Sequence, residues 1–191
     1  IRTGFPLIGR LFMGLTKPNN PISGTDFAGE VVEVGAAVSK FKVGDKVFGM
    51  TDIDGGGYAE YMSLSEDAML LPMPADYSYE EASGIMDGGT TAYAFLRTVT
   101  QLQPGMRILI NGASGSIGTA AVQIAKHMGA EVTGVCSTKN VEMVRGIGAD
   151  FVIDYTQEDF TQHGQQYDII FDTVGKSSFS KSKNALTPQG E

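Results

Sequence analysis

The sequence predicts an α/β protein, in which a doubly wound parallel sheet is preceded by a smaller, barrel-like β module. Three observations predict it. The first part of the chain alternates short β-branched runs with glycine turns. From about residue 100 onward, apolar strands alternate with amphipathic helical stretches at the spacing of βαβ units. Between the first strand and the first helix of that half lies a glycine-rich turn, Asn111-Gly112-Ala113-Ser114-Gly115.

The elements of the first half follow in order. Phe27 to Val34 is rich in β-branched residues and stops at Gly35, which predicts a strand. Val43-Gly44-Asp45-Lys46-Val47-Phe48-Gly49 reads as a turn feeding a second strand. Tyr58 to Leu64 follows the triple glycine Gly55-Gly56-Gly57 as a third, and Met69-Leu70-Leu71 ends as a fourth at Pro72. Ser78 ahead of Glu80 and Glu81 predicts a helix start, because serine caps free N–H groups and acids suit the positive end of the helix dipole. A further helix is expected over Thr90 to Thr98, and the change of pattern places the boundary near 95–103, giving domains 1–95 and 96–191.

In the second half, Met106 to Asn111 is the first strand. Ser116 to Met128 is a helix with Ile117, Ala121, Ile124 and Met128 on one face, closed by Gly129. Glu131 to Cys136 is the next strand and Val141 to Arg145 a short helix. Phe151-Val152-Ile153 and Asp168 to Phe171 complete four strands.

Composition excludes several function classes. The 191 residues carry 14 Lys plus Arg against 22 Asp plus Glu, a net charge of −8. A binder of the nucleic-acid backbone needs the opposite surplus. Hydrophobic residues make up 42 %, enough for a core. The single cysteine, Cys136, rules out an internal disulfide and a thiolate metal cluster. It fits a reducing compartment, and a cytoplasmic location is expected. No apolar run approaches the ~20 residues that span a bilayer, so no membrane partner is expected. The start at Ile1 resembles neither a signal peptide nor an initiator, and the chain reads as a piece of something longer.

The chemistry centres on Ala113, Gly115 and Gly118, an AxGxxG variant of the dinucleotide fingerprint set between a buried strand and a helix. A small residue at 113 permits the tight turn, Gly115 lets the backbone approach a pyrophosphate, and Gly118 lets the helix pack on the strand. Ser114, Ser116 and Ile117 share that turn and helix start, where N–H groups point at a bound phosphate. An NAD site keeps an acid about 20 residues further on for the ribose 2′-hydroxyl. Here Val135-Cys136-Ser137-Thr138-Lys139-Asn140 has none. Ser137 and Lys139 instead suit a 2′-phosphate, which favours NADPH over NADH. Tyr155 could reach the same adenosine end or serve as a packing residue. Thr173 is a candidate neighbour of the ribose or nicotinamide at the carboxyl edge of the sheet.

These residues, together with Gly24-Thr25-Asp26-Phe27-Ala28-Gly29-Glu30-Val31-Val32, Gly44-Asp45-Lys46-Val47-Phe48-Gly49, Gly57-Tyr58-Ala59-Glu60-Tyr61, Thr90-Thr91-Ala92-Tyr93 and Gly148-Ala149-Asp150, resemble the medium-chain dehydrogenases/reductases. The chain is most similar to the zinc-independent quinone oxidoreductases, the zeta-crystallin-like branch. The resemblance implies a partial GroES-like β-barrel domain followed by a C-terminally incomplete Rossmann domain, with four strands of an expected six. It implies NADPH-dependent hydride transfer to a quinone or another α,β-unsaturated carbonyl, and a homo-oligomer at full length. It places a hydroxyl, here Thr91, near the nicotinamide as a positioning residue, with Tyr93 packing. Zinc alcohol dehydrogenases carry Gly-His-Glu where this chain has Gly24-Thr25-Asp26, and their later cysteine ligand falls near Asp87. Zinc needs three or four ligands in fixed geometry, so none is expected, and His127 and His163 read as isolated surface residues. No catalytic acid is assigned; Asp87 is either a cleft residue or a helix-cap acid. The alternatives are an enoyl-thioester reductase of the same fold, for which Lys40, Lys42 and Lys46 are too general a basic patch to decide, and a non-enzymatic nucleotide-binding or structural protein.

Overall fold

The computed structural model describes residues 21–51 and 55–191. The chain divides into two compact units, Ile1–Met86 and Asp87–Glu191.

The first unit holds an antiparallel sheet of β1 (Asp26–Glu30), β2 (Lys46–Met50) and β3 (Leu70–Pro72), in that order. Ala28 faces Phe48, and Phe48 faces Leu71. β1 is shorter than the β-branched run suggested. After Glu30 the ladder dissolves into the connection to β2: Val31 donates to the Asp45 carbonyl (2.9 Å), and Gly44, at φ +91°, donates back to Val31 (2.8 Å). The strand expected over Tyr58 to Leu64 does not form among the described residues. Gly57 and Tyr58 bond to the Gly24 and Ser23 carbonyls, and the chain then runs irregularly, with Tyr58 and Tyr61 79 % and 76 % exposed. Alternating apolar residues without a buried face do not fix a register.

Helix α1 (Tyr79–Gly84) starts as expected. Ser78 Oγ accepts from the Glu81 N–H (3.2 Å) and Glu81 Oε2 accepts from the Ser78 N–H (2.9 Å), a reciprocal capping box. Helix α2 (Met86–Ala94) begins four residues before Thr90 and runs into a wider turn over Phe95–Val99, where Thr100 donates to the Phe95 carbonyl (2.9 Å). Gly88 marks a close approach rather than a helix start: a Cβ there would lie 2.5 Å from Ser116 Oγ. Ala92 and Leu96, both fully buried, join the core of the second unit. The division between compact units therefore falls at 86/87, ahead of the change in sequence pattern near 95.

The second unit alternates β4 (Arg107–Asn111), α3 (Ser116–His127), β5 (Glu131–Cys136), α4 (Val141–Gly146), β6 (Phe151–Asp154), β7 (Ile169–Asp172) and the short α5 (Phe179–Ser182). The strands are parallel in the order β6-β5-β4-β7. Side chains sort to the two faces with period two. Ile108, Ile110, Val132 and Ile169 share one core cluster with Leu96 and with Ala121, Val122 and Val144 of α3 and α4, while Leu109, Val135, Ile153 and Ile170 pack with Phe160, Tyr167 and Ala185 on the other face. Each fully buried aliphatic side chain contributes about 1.5–3 kcal/mol, so both faces are fixed by burial.

The face of α3 differs from the expected one. Gly118, Ala121, Val122 and Ala125 are buried, and Ile117, Ile124 and Met128 are only partly so. Small residues at the contact bring the helix close to the sheet and leave the larger ones on its flanks. Gly129 closes the helix at φ +84°, as the sequence indicated. The fourth strand spans Ile169–Asp172, one residue later than expected. Among the described residues no helix is long and apolar enough to cross a membrane.

Candidate functional site

Parallel sheets of this winding offer a crevice at the carboxyl ends of the strands where the strand order reverses. In the second unit that place is the junction of β4 with β5 and β7, and a cleft of about 1050 Å³ opens there. The loops after all four strands contribute to it: Ser114 to Ile117, Ser137 and Lys139, Tyr155, and Thr173.

The turn after β4 is built around Gly112. Its φ of +85° is a left-handed conformation, and a Cβ would lie 2.3 Å from Val174 Cγ2 and 2.6 Å from Thr173 Oγ1. Ala113 is fully buried, and its N–H donates to the Val135 carbonyl (3.0 Å). Gly118 is buried as well, and a Cβ on it would stand 2.1 Å from the Gly112 carbonyl oxygen. Ala113 and Gly118 thus lie behind the cleft, where they let helix and strand approach. Gly115 is the N-cap of α3 and provides no side-chain cap. Helix geometry leaves the N–H groups of the first turn, Ser116 and Ile117 among them, without intrahelical partners, and both residues line the cleft. The positive end of the helix dipole adds to their pull on an anion. Residues and shape fit a dinucleotide diphosphate.

The loop after β5 carries the second polar group. Ser137 is half-buried and Lys139 exposed, and both line the cleft with Asn140. Asn140 Nδ2 donates to Ser114 Oγ (3.0 Å) and at longer range to Ser137 Oγ (3.4 Å), joining this loop to the turn after β4. An acid does stand nearby, one strand over. Asp154 closes β6, but its carboxylate accepts from the Thr138 hydroxyl (2.5 Å) and from the N–H and hydroxyl of Thr156 (2.9 and 2.8 Å). The Thr138 bond first, and the Thr156 bonds after it, hold its carboxyl below the usual range. Tyr155 is 62 % exposed at the rim.

The wall after β7 is organised by Asp172. Its carboxylate accepts from Asn111 Nδ2 (3.0 Å) and from the N–H groups of Val174 (3.0 Å), Gly175 (3.1 Å) and Ser177 (3.0 Å). Thr173 donates its hydroxyl to the Asn111 carbonyl (2.8 Å), which seats it against Gly112. Lys176 and Lys181 extend this wall.

Of the residues singled out in the sequence, Ser114, Gly115, Ser116, Ile117, Ser137, Lys139, Tyr155 and Thr173 come together in this cleft. Asp87, in the first turn of α2, also lines it. Thr91 is half-buried on α2 and lies outside the lining. Sequence reasoning missed Gly112, Asn140 and Asp172. The first carried a readable signal, a second glycine in the turn; the other two act through hydrogen bonds between loops far apart in sequence. Among the described residues no group of three or more His, Cys, Asp and Glu side chains could hold a metal ion. Both histidines are exposed, and His163 pairs with Glu158 (3.2 Å).

Two family models match the chain: the alcohol dehydrogenase GroES-like domain over residues 7–75 and the zinc-binding dehydrogenase over residues 116–191. The chain is 35 % identical to the chloroplastic quinone-oxidoreductase QR1 of Triphysaria versicolor, covering 95 % of this chain and 60 % of that protein. It is 38 % identical to the trans-enoyl reductase pgmF of Aspergillus terreus, over 89 % of this chain and 49 % of that protein. The Escherichia coli quinone oxidoreductase, solved in complex with NADPH, superposes with a TM-score of 0.81 at 29 % identity, over 95 % of this chain and 58 % of that one. The chain thus spans half to three fifths of the length of these relatives.

Proposed function

The chain belongs to the medium-chain dehydrogenase/reductase superfamily, and on that premise we propose that it binds NADPH and serves zinc-independent hydride transfer to a quinone or another α,β-unsaturated carbonyl. The observation that carries the proposal is the cleft at the carboxyl edge of the sheet, with an anion-binding helix start on one side and Ser137, Lys139 and Tyr155 on the other. The first-turn N–H groups of α3 would hold the diphosphate. Ser137 and Lys139 would hold the 2′-phosphate, one as a hydrogen-bond donor and one as a point charge. Asp154, the acid at the end of β6, is engaged by Thr138 and Thr156, which supports NADPH over NADH.

When bound, NADPH supplies the hydride. The chain's own residues bind and orient it. Thr173, fixed on the Asn111 carbonyl, bounds the cleft beside the turn. Ala113 and Gly118 act by packing, keeping α3 close enough to present its N–H groups. Thr91 is proposed as a positioning hydroxyl for the nicotinamide. The zinc-independent reading rests on Thr25, which stands where zinc alcohol dehydrogenases carry a ligand histidine. A second reading, reduction of an enoyl thioester, is favoured by the likeness to the Aspergillus trans-enoyl reductase.

Titration of the chain with NADPH and with NADH, followed by cofactor fluorescence, tests the binding half. NADPH is expected to bind at least about tenfold tighter, the value of one charge-assisted hydrogen bond. Equal affinities would remove the 2′-phosphate assignment, and no binding by the folded chain would remove the site. NADPH oxidation with a quinone and, in parallel, with a crotonyl thioester separates the two reactions.

A further inference from the structure

Asn140 sits between the two loops that the NADPH reading places on different phosphates. Its side-chain amide donates to Ser114 in the turn after β4 and to Ser137 in the loop after β5. Its own N–H donates to the Ser137 carbonyl (2.8 Å), which anchors Asn140 to the same short turn. All three residues line the cleft.

A serine hydroxyl has one proton and two lone pairs. When its oxygen accepts from an amide N–H, its own proton must point elsewhere. For Ser114 and Ser137, whose oxygens both face Asn140, the open direction is the cleft. We propose that Asn140 is a positioning residue that turns the hydroxyl protons of Ser114 and Ser137 toward the phosphates of NADPH and so couples the diphosphate turn to the 2′-phosphate corner. The inference rests on the NADPH reading above. Donors oriented before the ligand arrives need no reorganisation when it binds, and the advantage is largest where the acceptor is charged. One amide serving both serines also makes their contributions interdependent.

The test measures equilibrium binding of NADPH and NADH to the wild-type chain, to Asn140→Ala and Asn140→Asp, and to Ser137→Ala alone and combined with Asn140→Ala. Asn140→Ala is expected to weaken NADPH about tenfold, and Asn140→Asp about 100-fold, because the carboxylate accepts both serine protons and repels both phosphates. NADH, which lacks the 2′-phosphate, should lose less in each case. Ser137→Ala should cost NADPH affinity in the wild type and little in the Asn140→Ala background, a coupling that a purely structural role would not produce. Circular dichroism establishes folding. Asn140→Asp keeps the size and shape of the side chain at a half-buried position, and decides the matter if Asn140→Ala does not fold. NADPH affinity within twofold of wild type in Asn140→Asp overturns the proposal, as do additive losses in the double variant. A folded wild type that binds neither nucleotide overturns the NADPH reading instead.

Discussion

Replacing Gly118 with alanine adds one methyl group at the contact between α3 and β4. Its Cβ would stand 2.1 Å from the Gly112 carbonyl oxygen and 2.8 Å from Ala113 Cα. A carbon and an oxygen in ordinary contact sit about 3.4 Å apart, so helix and turn must separate by roughly 1 Å. Neither partner can yield cheaply, because both contacts are backbone. Gly112 is held in a left-handed conformation under Thr173 and Val174. The cost belongs at the upper end of the range for overpacking, about 3 kcal/mol. In a chain of this size that lowers the melting temperature by about 6–12 °C. Separating α3 from the turn also moves its first-turn N–H groups, so NADPH affinity should fall together with stability. Gly146→Ala is the control. It adds the same methyl at the last residue of α4, where a Cβ meets nothing within 4 Å. It should leave the chain as stable or up to about 1 kcal/mol more stable, because alanine restricts the unfolded chain. Thermal unfolding by circular dichroism, with and without NADPH, measures both. If Gly118→Ala melts with the wild type and Gly146→Ala does not, the packing argument is wrong.

Other predictions concern single contacts in each of the two units. Lys126 Nζ lies 2.7 and 2.8 Å from the two Asp150 oxygens, and the Val132 N–H donates to the same carboxylate (2.8 Å). Burial raises the Asp150 carboxyl, but Lys126 and the Val132 N–H outweigh it and hold it below its ordinary value of 3.8. A depressed carboxyl contributes stability above its unfolded pKa and loses it as pH falls through the folded one. Asp150→Asn should therefore cost about 1–2 kcal/mol at pH 7 and progressively less below pH ~4, read from urea melts across that range. Ser78→Ala removes half of the capping box on α1 and should cost about 1 kcal/mol in the same melts. Burial, with Asp154 adding to it, pushes the Cys136 thiol up from 9.0. Alkylation at pH 8 should then be slow in the native chain and fast in urea, and equal rates would place the thiol at the surface.

The second unit was legible because its signals are local and redundant. The buried run Ile108 to Ile110, the glycine turn and the helix after it each predict the other two, and burial on both faces of the sheet leaves one register. The cleft residues came with that motif, since they occupy the strand ends it defines. The first unit was less legible. Its strands are three to five residues long, and Tyr58 to Leu64 has strand-forming residues without a buried face to organise them. The helix expected from Thr90 begins instead at Met86, and Gly88 within it answers to a close approach by Ser116, far along the chain. Asn140 and Asp172 escaped for a similar reason. Each acts through bonds across a parallel sheet, where partners are separated by a whole crossover.

The fan of bonds on Asp172 sets a time scale as well as a shape. The amides of Val174, Gly175 and Ser177 belong to a loop in which Val174, Gly175 and Lys176 are exposed, where hydrogen exchange would ordinarily be complete within seconds. Each is tied to one carboxylate, itself held to β4 through Asn111. Their protons should exchange together, at the rate at which that single carboxylate lets go. The root of this wall then behaves as one cooperative unit with the sheet, and the exposed Lys176, carried between Gly175 and Ser177, keeps the freedom of a side chain on a fixed base.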